Sequence, residues 1–277
     1  MAALTDREAF ARLVAAVEPY LDVLVFVGGW AHRLYAFHEL ADPIDFEPLA
    51  TDDADLAAPV RLETRKETLA ARLKAAGFTE EFRGEDRPPI SEYHLGEEEA
   101  GLYVEFIAPL FGPSATKEGK SRDTALVGGV TAQTLRQVEL LLEAPWTVRI
   151  TQRLGFPVGR DGCQIRIPNP ASFIAQKLLV LDKRQQSKRP KDLLYVHDTL
   201  TLFARNQAAL RTSWKLVRAS QISKKLTAQI ERRFGRVDDL IREACRIAEE
   251  SGRPSPPTPE QFAERCRAGA QAIFTSD

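Results

Sequence analysis

The chain of 277 residues is long enough for one large domain or two modest ones, each with a hydrophobic core. Its 38 Lys and Arg nearly balance its 39 Asp and Glu, and on its own this formal net charge of -1 argues against a polyanionic partner. Three cysteines without a CxxC pair and four histidines without an HExxH spacing exclude a disulfide framework and the common zinc motifs. No apolar run approaches the roughly 18–20 residues that cross a bilayer, so we expect a cytoplasmic protein with no membrane partner.

The balanced total hides a difference between two parts of the chain. Residues 168–277 carry 20 Lys and Arg against 12 Asp and Glu, a net of +8, whereas residues 1–167 carry 18 against 27, a net of -9. Much of the positive charge lies in residues 177–236, with 15 basic and 4 acidic side chains. Such runs are most often solvated helix faces, but clusters of this density also attract phosphate backbones. The charge pattern therefore leaves a polyanionic partner open.

Helices and strands alternate in the first part of the chain. Thr5 and Glu8 have the spacing of a capping box at the start of a helix over 5–19. A β-branched, apolar strand at 21–27 ends at Gly28 and Gly29. The remaining predicted elements are a helix at 30–38, a short acidic strand at 52–56, a helix at 63–76, strands at 93–95 and 102–107, a helix at 131–142, and strands at 146–151 and 164–167.

From residue 170 onward the pattern is almost continuously helical. One helix carries an apolar stripe over 173–181, another covers 191–203, and a Pro-rich break at 253–257 precedes a final helix at 259–274. The sequence therefore predicts an α+β fold, a mixed sheet with flanking helices followed by an all-helical C-terminal domain. We place the two domains at residues 1–167 and 168–277.

Three carboxylates carry the strongest chemical signal. Side chains alternate along a strand, so Asp53 and Asp55 point to one face, about 6–7 Å apart. Asp52 competes with Asp53 for the first position, but only Asp53 shares a face with Asp55. Glu105 lies within an apolar strand, where a charge requires a cationic partner. If the two strands are neighbours, the three carboxylates converge on a site for Mg²⁺, which prefers carboxylates together with substrate phosphates.

Gly28-Gly29, the Asp53-x-Asp55 pair and the later Glu105 strand resemble the nucleotidyltransferase superfamily of the DNA polymerase β type. In the helical part, Lys177-x4-Asp182 followed by Lys191-Asp192 is similar to motifs of the AbiEii/MenT-like nucleotidyltransferases, a group that includes toxins of toxin–antitoxin pairs. The resemblance covers roughly residues 22–200. The separation between Gly29 and Asp53 is longer than is usual in the superfamily. The Arg that often precedes the Thr-x-Asp-x-Asp segment is absent before Thr51.

The resemblance implies an enzyme that moves a nucleotidyl group from a nucleoside triphosphate to an acceptor hydroxyl. Asp53, Asp55 and Glu105 would bind Mg²⁺ as catalytic residues. Gly28, Gly29, Thr51 and Lys177 would contact the nucleotide, with Lys177 reaching a phosphate. Asp192 would fix that lysine or lie near the acceptor. The basic segment 177–236 adds RNA, such as tRNA, as a possible acceptor, and the resemblance to toxins adds a possible cognate antitoxin as a partner.

Two other interpretations remain open from the sequence. One is an inactive protein of the same fold that only binds RNA or a partner protein, although three intact carboxylates argue against it. The other is a helical nucleic-acid-binding module joined to an unrelated α/β part, which requires the basic helix faces to be contiguous. The acceptor also stays open among RNA, a protein side chain and a small molecule.

Overall fold

The structure is a computed structural model that describes residues 4–83, 90–96, 101–115, 119, 121–217 and 222–275. The chain forms two compact units, one made of Met1–Ala31 with Ala50–Ile167 and the other of His32–Leu49 with Pro168–Asp277. Segment 32–49 therefore belongs to the unit that contains residues 168–277. Within the described residues, no helix is both long enough and apolar enough to cross a bilayer.

The first unit is built on a mixed β-sheet. Strands β1 (Val25–Val27), β2 (Asp53–Ala57), β3 (Thr79–Arg83), β4 (Ile90–Leu95) and β5 (Leu102–Pro109) lie in the order β1-β2-β5-β4-β3. The β2–β5 pair is parallel, whereas β1–β2, β4–β5 and β3–β4 are antiparallel. β6 (Thr124–Val127) and β7 (Val130–Leu135) form a hairpin, and β7 also pairs in parallel with β5. β8 (Trp146–Ile150) pairs with β9 (Cys163–Ile167) in a separate small sheet.

Helices of the first unit follow the predicted start signals. Helix α1 (Asp6–Ala16) begins at the Thr5–Glu8 capping box, which is confirmed. Its Phe10 packs against Phe26 of β1, with ring centroids 5.1 Å apart, and stacks on Trp30 at 3.9 Å. Helix α2 (Gly28–Tyr35) starts directly after β1, and helix α3 (Leu69–Ala75) starts later than predicted because Thr68 is its N-cap.

The helix predicted at 131–142 is wrong. Residues 130–135 form β7, and only α4 (Glu139–Leu142) is helical. Val130, Ala132 and Thr134 are buried in alternation, which is the period of a strand and not of a helix. Gly128 and Gly129, both with positive φ, form the turn that folds β7 onto β6. The sequence analysis also missed β3 and β6.

The second unit is helical, as expected, and the α+β class is confirmed. It contains α5 (Pro170–Val180), α6 (Arg189–Leu202), α7 (Gln207–Leu216), α8 (Ser223–Phe234), α9 (Asp239–Glu250) and α10 (Pro259–Phe274). Residues 181–183 and 186–188 add two short 3₁₀ turns between α5 and α6. The last helix has the predicted bounds because Thr258 and Gln261 form a capping box and Pro259 occupies the first turn.

Candidate active site

Two of the predicted carboxylates are direct cross-strand neighbours. Asp55 of β2 lies in register with Glu105 of β5, and Asp53 lies in register with Tyr103. Residues in register on adjacent strands point to the same face about 5 Å apart, so Asp53, Asp55 and Glu105 share one face of the sheet. All three side chains are half-buried. The condition that the two acidic strands be neighbours is met by the β2–β5 pairing.

The same face becomes apolar at the other end of these strands. Ala57 and Ile107, which continue the alternation from Asp55 and Glu105, are buried in a cluster with Val25, Val138 and Leu141. This packing fixes the two strands on which the carboxylates stand. The carboxylates therefore project from a rigid sheet and not from a loop, which is the arrangement that holds a site in a defined geometry.

Gly28 and Gly29 bring the start of α2 against this face. A Cβ atom at Gly28 would lie 2.2 Å from Asp55 Oδ2, and Gly28 also has a positive φ of +62°. A Cβ atom at Gly29 would lie 2.6 Å from the Cγ2 atom of Thr51. Any other residue at position 28 would therefore displace the Asp55 carboxylate. The absence of side chains at Gly28 and Gly29 therefore lets the backbone pass close to Asp55 and Thr51.

Thr51 contacts the first carboxylate. Its hydroxyl donates a hydrogen bond to Asp53 Oδ1, and the residue is only 6% exposed. Asp52, the alternative first ligand, is exposed and lies just before β2. Its backbone carbonyl accepts a hydrogen bond from the Tyr103 amide. The geometry thus places Asp53, and not Asp52, on the face with Asp55.

Tyr103 reports on the electrostatics of this face. Its hydroxyl has a raised pKa, firstly because it is half-buried and then because Asp53, Glu105 and Asp55 all oppose a further negative charge. The three carboxylates therefore all lie close enough to Tyr103 to oppose its ionisation. Carboxylate oxygens are the hard donors that suit Mg²⁺, and the close approach of the Gly28 backbone restricts the Asp55 carboxylate. Among the described residues, however, only Glu81, Glu92 and His94 have three potential ligand atoms that all lie within 4.8 Å of one another, so Asp53, Asp55 and Glu105 share a face without forming a ready-made set of three ligands.

A model of a protein family described as nucleotidyltransferase matches residues 6–218. The chain belongs to this nucleotidyltransferase family. The match spans both units and includes every residue that the sequence analysis placed in the site. No curated protein and no solved structure matches the chain.

In the second unit of this nucleotidyltransferase, Lys177 and Asp192 form a buried ion pair. Lys177 Nζ lies 2.5 Å from Asp192 Oδ1, and Arg184 Nε lies 3.0 Å from Asp192 Oδ2. The ammonium also lies over the rings of Tyr195 and Phe173, 5.2 and 5.5 Å from their centroids. Burial opposes ionisation of Asp192, but Lys177 and Arg184 outweigh it and hold the pKa of the carboxyl below its ordinary value.

Sequence reasoning missed several charged side chains. Glu92 of β4 lies in register with Glu105, and Glu81 of β3 lies in register with Glu92. They continue the row of carboxylates across four adjacent strands. In the second unit, Asp198 is buried against Arg253. The alternating positions of Glu92 and His94 were a usable signal, but β3 was not predicted and its pairing with β4 could not be read locally.

Proposed function

We propose that this protein transfers a nucleotidyl group from a nucleoside triphosphate to an acceptor hydroxyl in a Mg²⁺-dependent reaction. The observation that carries the proposal is the register of Asp55 with Glu105 on the face that also bears Asp53. Nucleotidyl transfer requires charge to be neutralised at the phosphate and the acceptor hydroxyl to lose its proton. Carboxylates on rigid strands could hold the Mg²⁺ that neutralises charge at the phosphate, and one of them could accept the proton.

Each carboxylate has a separate task in this proposal. Asp53 and Asp55 would hold Mg²⁺, and Glu105 would complete the ligand set or accept the proton of the acceptor hydroxyl. When bound, the ion offsets the charge of the triphosphate and makes the acceptor hydroxyl more acidic. Thr51 keeps the Asp53 carboxylate in place by its hydrogen bond. The absence of a side chain at Gly28 lets the backbone lie against the Asp55 carboxylate, and any contact of this glycine with the nucleotide would come from its backbone.

Lys177 is the proposed phosphate-binding side chain of the second unit. Its ammonium has three donors, and Asp192 accepts one of them. In this proposal Asp192 orients the lysine, and the hydrogen bond supports the first of the two roles expected for it. The motif formed by Lys177, Asp182 and Asp192 is also the reason to propose the AbiEii/MenT-like group, and with it a toxin-like activity that a cognate antitoxin would control.

RNA, such as tRNA, is the acceptor that we propose, because basic side chains from two distant segments meet in the second unit. Arg189 Nη2 donates to the backbone carbonyl of Asp182 at 2.8 Å, and Arg232 and Arg233 contact the Asp182 carboxylate. The segments around 183–191 and 224–233 therefore adjoin, and four of their lysines are exposed: Lys183, Lys188, Lys224 and Lys225. Residues 218–221 of the basic segment lie outside the described residues.

The decisive experiment follows the label of a nucleoside triphosphate. The purified protein is incubated with Mg²⁺, total RNA and each nucleoside triphosphate in turn, labelled on either the α- or the γ-phosphate. Nucleotidyl transfer moves the α-label to the acceptor and releases the γ-label with pyrophosphate. Nuclease treatment should remove the label if RNA is the acceptor, whereas protease treatment should remove it if a protein is.

Matched variants separate catalysis from binding. Asp53→Asn should abolish transfer, and Asp52→Asn, which alters the exposed neighbour, should retain it. Full transfer by Asp53→Asn would overturn the assignment of the site. Mg²⁺-dependent binding of a triphosphate without transfer to any acceptor would favour the inactive protein instead. Lys224→Gln with Lys225→Gln should weaken RNA binding and reduce its dependence on salt.

A further inference from the structure

A second group of potential metal ligands lies on β3 and β4. Glu81, Glu92 and His94 each offer one ligand atom, and these atoms all lie within 4.8 Å of one another. His94 Nε2 lies 2.9 Å from Glu92 Oε2 and 3.4 Å from Glu81 Oε2. This group differs from the predicted set of Asp53, Asp55 and Glu105, and it contains a nitrogen donor.

The positions of these side chains are fixed by the sheet. Glu81 and Glu92 are in register on adjacent strands, and His94 lies two residues after Glu92, on the same face. The side chains of Glu92 and His94 are each 8% exposed. The imidazole is stacked on Tyr103, with ring centroids 5.6 Å apart, which orients Nε2 towards the two carboxylates.

The two separations from His94 are close to those in the ligand shell of a small divalent ion. A tetrahedral site with ligand bonds of about 2.0–2.1 Å has its ligand atoms about 3.3 Å apart. Glu81 Oε2 lies 3.4 Å and Glu92 Oε2 lies 2.9 Å from His94 Nε2, and the two glutamates offer oxygens within 4.8 Å of each other. The alternative occupant is a proton, which would make His94 a cation held between two glutamates.

The electrostatics of the sheet face favour a cation of higher charge. Asp55, Glu105, Glu92 and Glu81 stand side by side on four consecutive strands, and like charges directly opposite one another destabilise a sheet. A divalent ion at the outer end of this row would offset two of these charges. An imidazole among the ligands selects against Mg²⁺, which prefers oxygen, and for ions such as Zn²⁺ or Mn²⁺.

We propose that Glu81, Glu92 and His94 form a second divalent-cation site, which takes a transition-metal ion such as Zn²⁺. This site is independent of the proposed nucleotidyl transfer. It could be occupied whether or not Asp53, Asp55 and Glu105 hold Mg²⁺, so the two proposals can fail separately.

Zinc titration in excess Mg²⁺ tests the site directly. The full chain, stripped of metal with a chelator, is titrated with Zn²⁺ against a coloured zinc indicator. One equivalent should bind tightly, and His94→Gln or Glu92→Gln should weaken this binding at least tenfold. Asp53→Asn should leave the Zn²⁺ binding unchanged.

Glu80→Gln is the matched control, because Glu80 is the neighbour of Glu81 on β3, points to the opposite face and pairs with Lys74. Absence of tight binding, its persistence in His94→Gln, or its loss in Asp53→Asn would overturn the proposal.

A spectroscopic measurement identifies the nitrogen ligand without altering the cluster. One equivalent of Mn²⁺ is added to the Asp53→Asn protein, and pulsed electron paramagnetic resonance should show coupling to a ¹⁴N nucleus. The coupling should change when histidine is labelled with ¹⁵N. A signal without nitrogen coupling would show that His94 is only an ion-pair partner of the two glutamates.

Discussion

Asp192 and Asp198 of the second unit face basic side chains, whereas Asp55 and Glu105 of the first unit face each other. Asp192 contacts Lys177 and Arg184, and Asp198 accepts two hydrogen bonds from Arg253, each of 2.6 Å. A buried carboxylate that is paired with a basic side chain, such as Asp192 or Asp198, is part of the folded structure. Removing its partner leaves an uncompensated charge.

Carboxylates placed side by side behave differently. Like charges directly opposite one another on adjacent strands lower stability, so replacing one of them by a neutral residue of the same shape relieves this repulsion. The carboxylates of the sheet face instead contribute to function, by binding a cation together with its substrate. The comparison therefore predicts that Asp198 matters for stability, that Asp192 matters for stability and also for activity through Lys177, and that the acidic residues on the sheet face matter mainly for activity.

The largest effect is expected for Asp55→Asn. This change keeps the shape of the side chain against Gly28 but removes a charge next to Glu105. We expect transfer to fall about a thousandfold, which corresponds to about 4 kcal/mol. The free energy of unfolding should change by less than about 0.5 kcal/mol, measured by urea denaturation without Mg²⁺. A large loss of stability would show that Asp55, like Asp192 and Asp198, is needed for the folded structure, and it would contradict the comparison.

Asp198→Asn should show the opposite behaviour. Burial opposes ionisation of Asp198, but hydrogen bonds from Arg253 and His197 outweigh it and hold the pKa below its ordinary value. Losing the charge leaves Arg253 buried without a counter-ion, so we expect unfolding to become easier by about 3 kcal/mol. Asp182→Asn is the matched control, since its pair with Arg232 is half-exposed and should contribute less than about 1 kcal/mol. Equal effects of the two changes would contradict this prediction.

A pH dependence should come from His32, which is fully buried near Asp198. Burial lowers the pKa of His32 to about 4, helped by Arg253 and Lys177 and opposed by Asp198. The folded protein keeps this imidazole neutral down to about pH 4, whereas the unfolded chain binds a proton below its ordinary pKa of 6.5. Stability should therefore fall as pH drops from about 6.5 to 4, by about 2 kcal/mol between pH 7 and 5.

The test of this prediction is a pair of denaturation curves at pH 7 and pH 5. His32→Gln cannot take up the proton, so the difference between the two pH values should shrink by about 2 kcal/mol in the variant. The same pH dependence in both proteins would show that other groups cause it.

Local patterns were sufficient for most of the elements that carry the site. The capping box at Thr5, the alternation of Asp53 and Asp55 and the apolar strand around Glu105 are all local and could be read from the chain. The register of Asp55 with Glu105 is not local, and only the resemblance to a family suggested that the strands were neighbours. The helix predicted at 131–142 is wrong because the residues after 135 favour a helix, whereas the two-residue alternation of buried side chains in Val130–Leu135 is that of a strand.

Pairings between distant segments could not be predicted in this way. Asp198 and Arg253 are 55 residues apart, and nothing in either neighbourhood indicates that one neutralises the other. Glu81 and Glu92 belong to different strands, and only the β3–β4 register places them together. Contacts of this kind depend on the packing of whole elements, and charge counts along the chain contain no information about them.

The smallest effect, and the one that sharpens the role of an individual side chain, is expected for Thr51→Val. The sequence suggested that Thr51 contacts the nucleotide, whereas in the structure its hydroxyl donates to Asp53 and its methyl group lies against Gly29. Valine keeps the shape and removes only the hydrogen bond. If Thr51 acts by orienting Asp53, kcat should fall about tenfold, or about 1.4 kcal/mol, with little change in KM.

Thr51→Ser should restore the rate because it keeps the hydroxyl. A rise in KM at constant kcat would instead assign the hydroxyl to the nucleotide, since uniform binding of substrate and transition state affects KM alone.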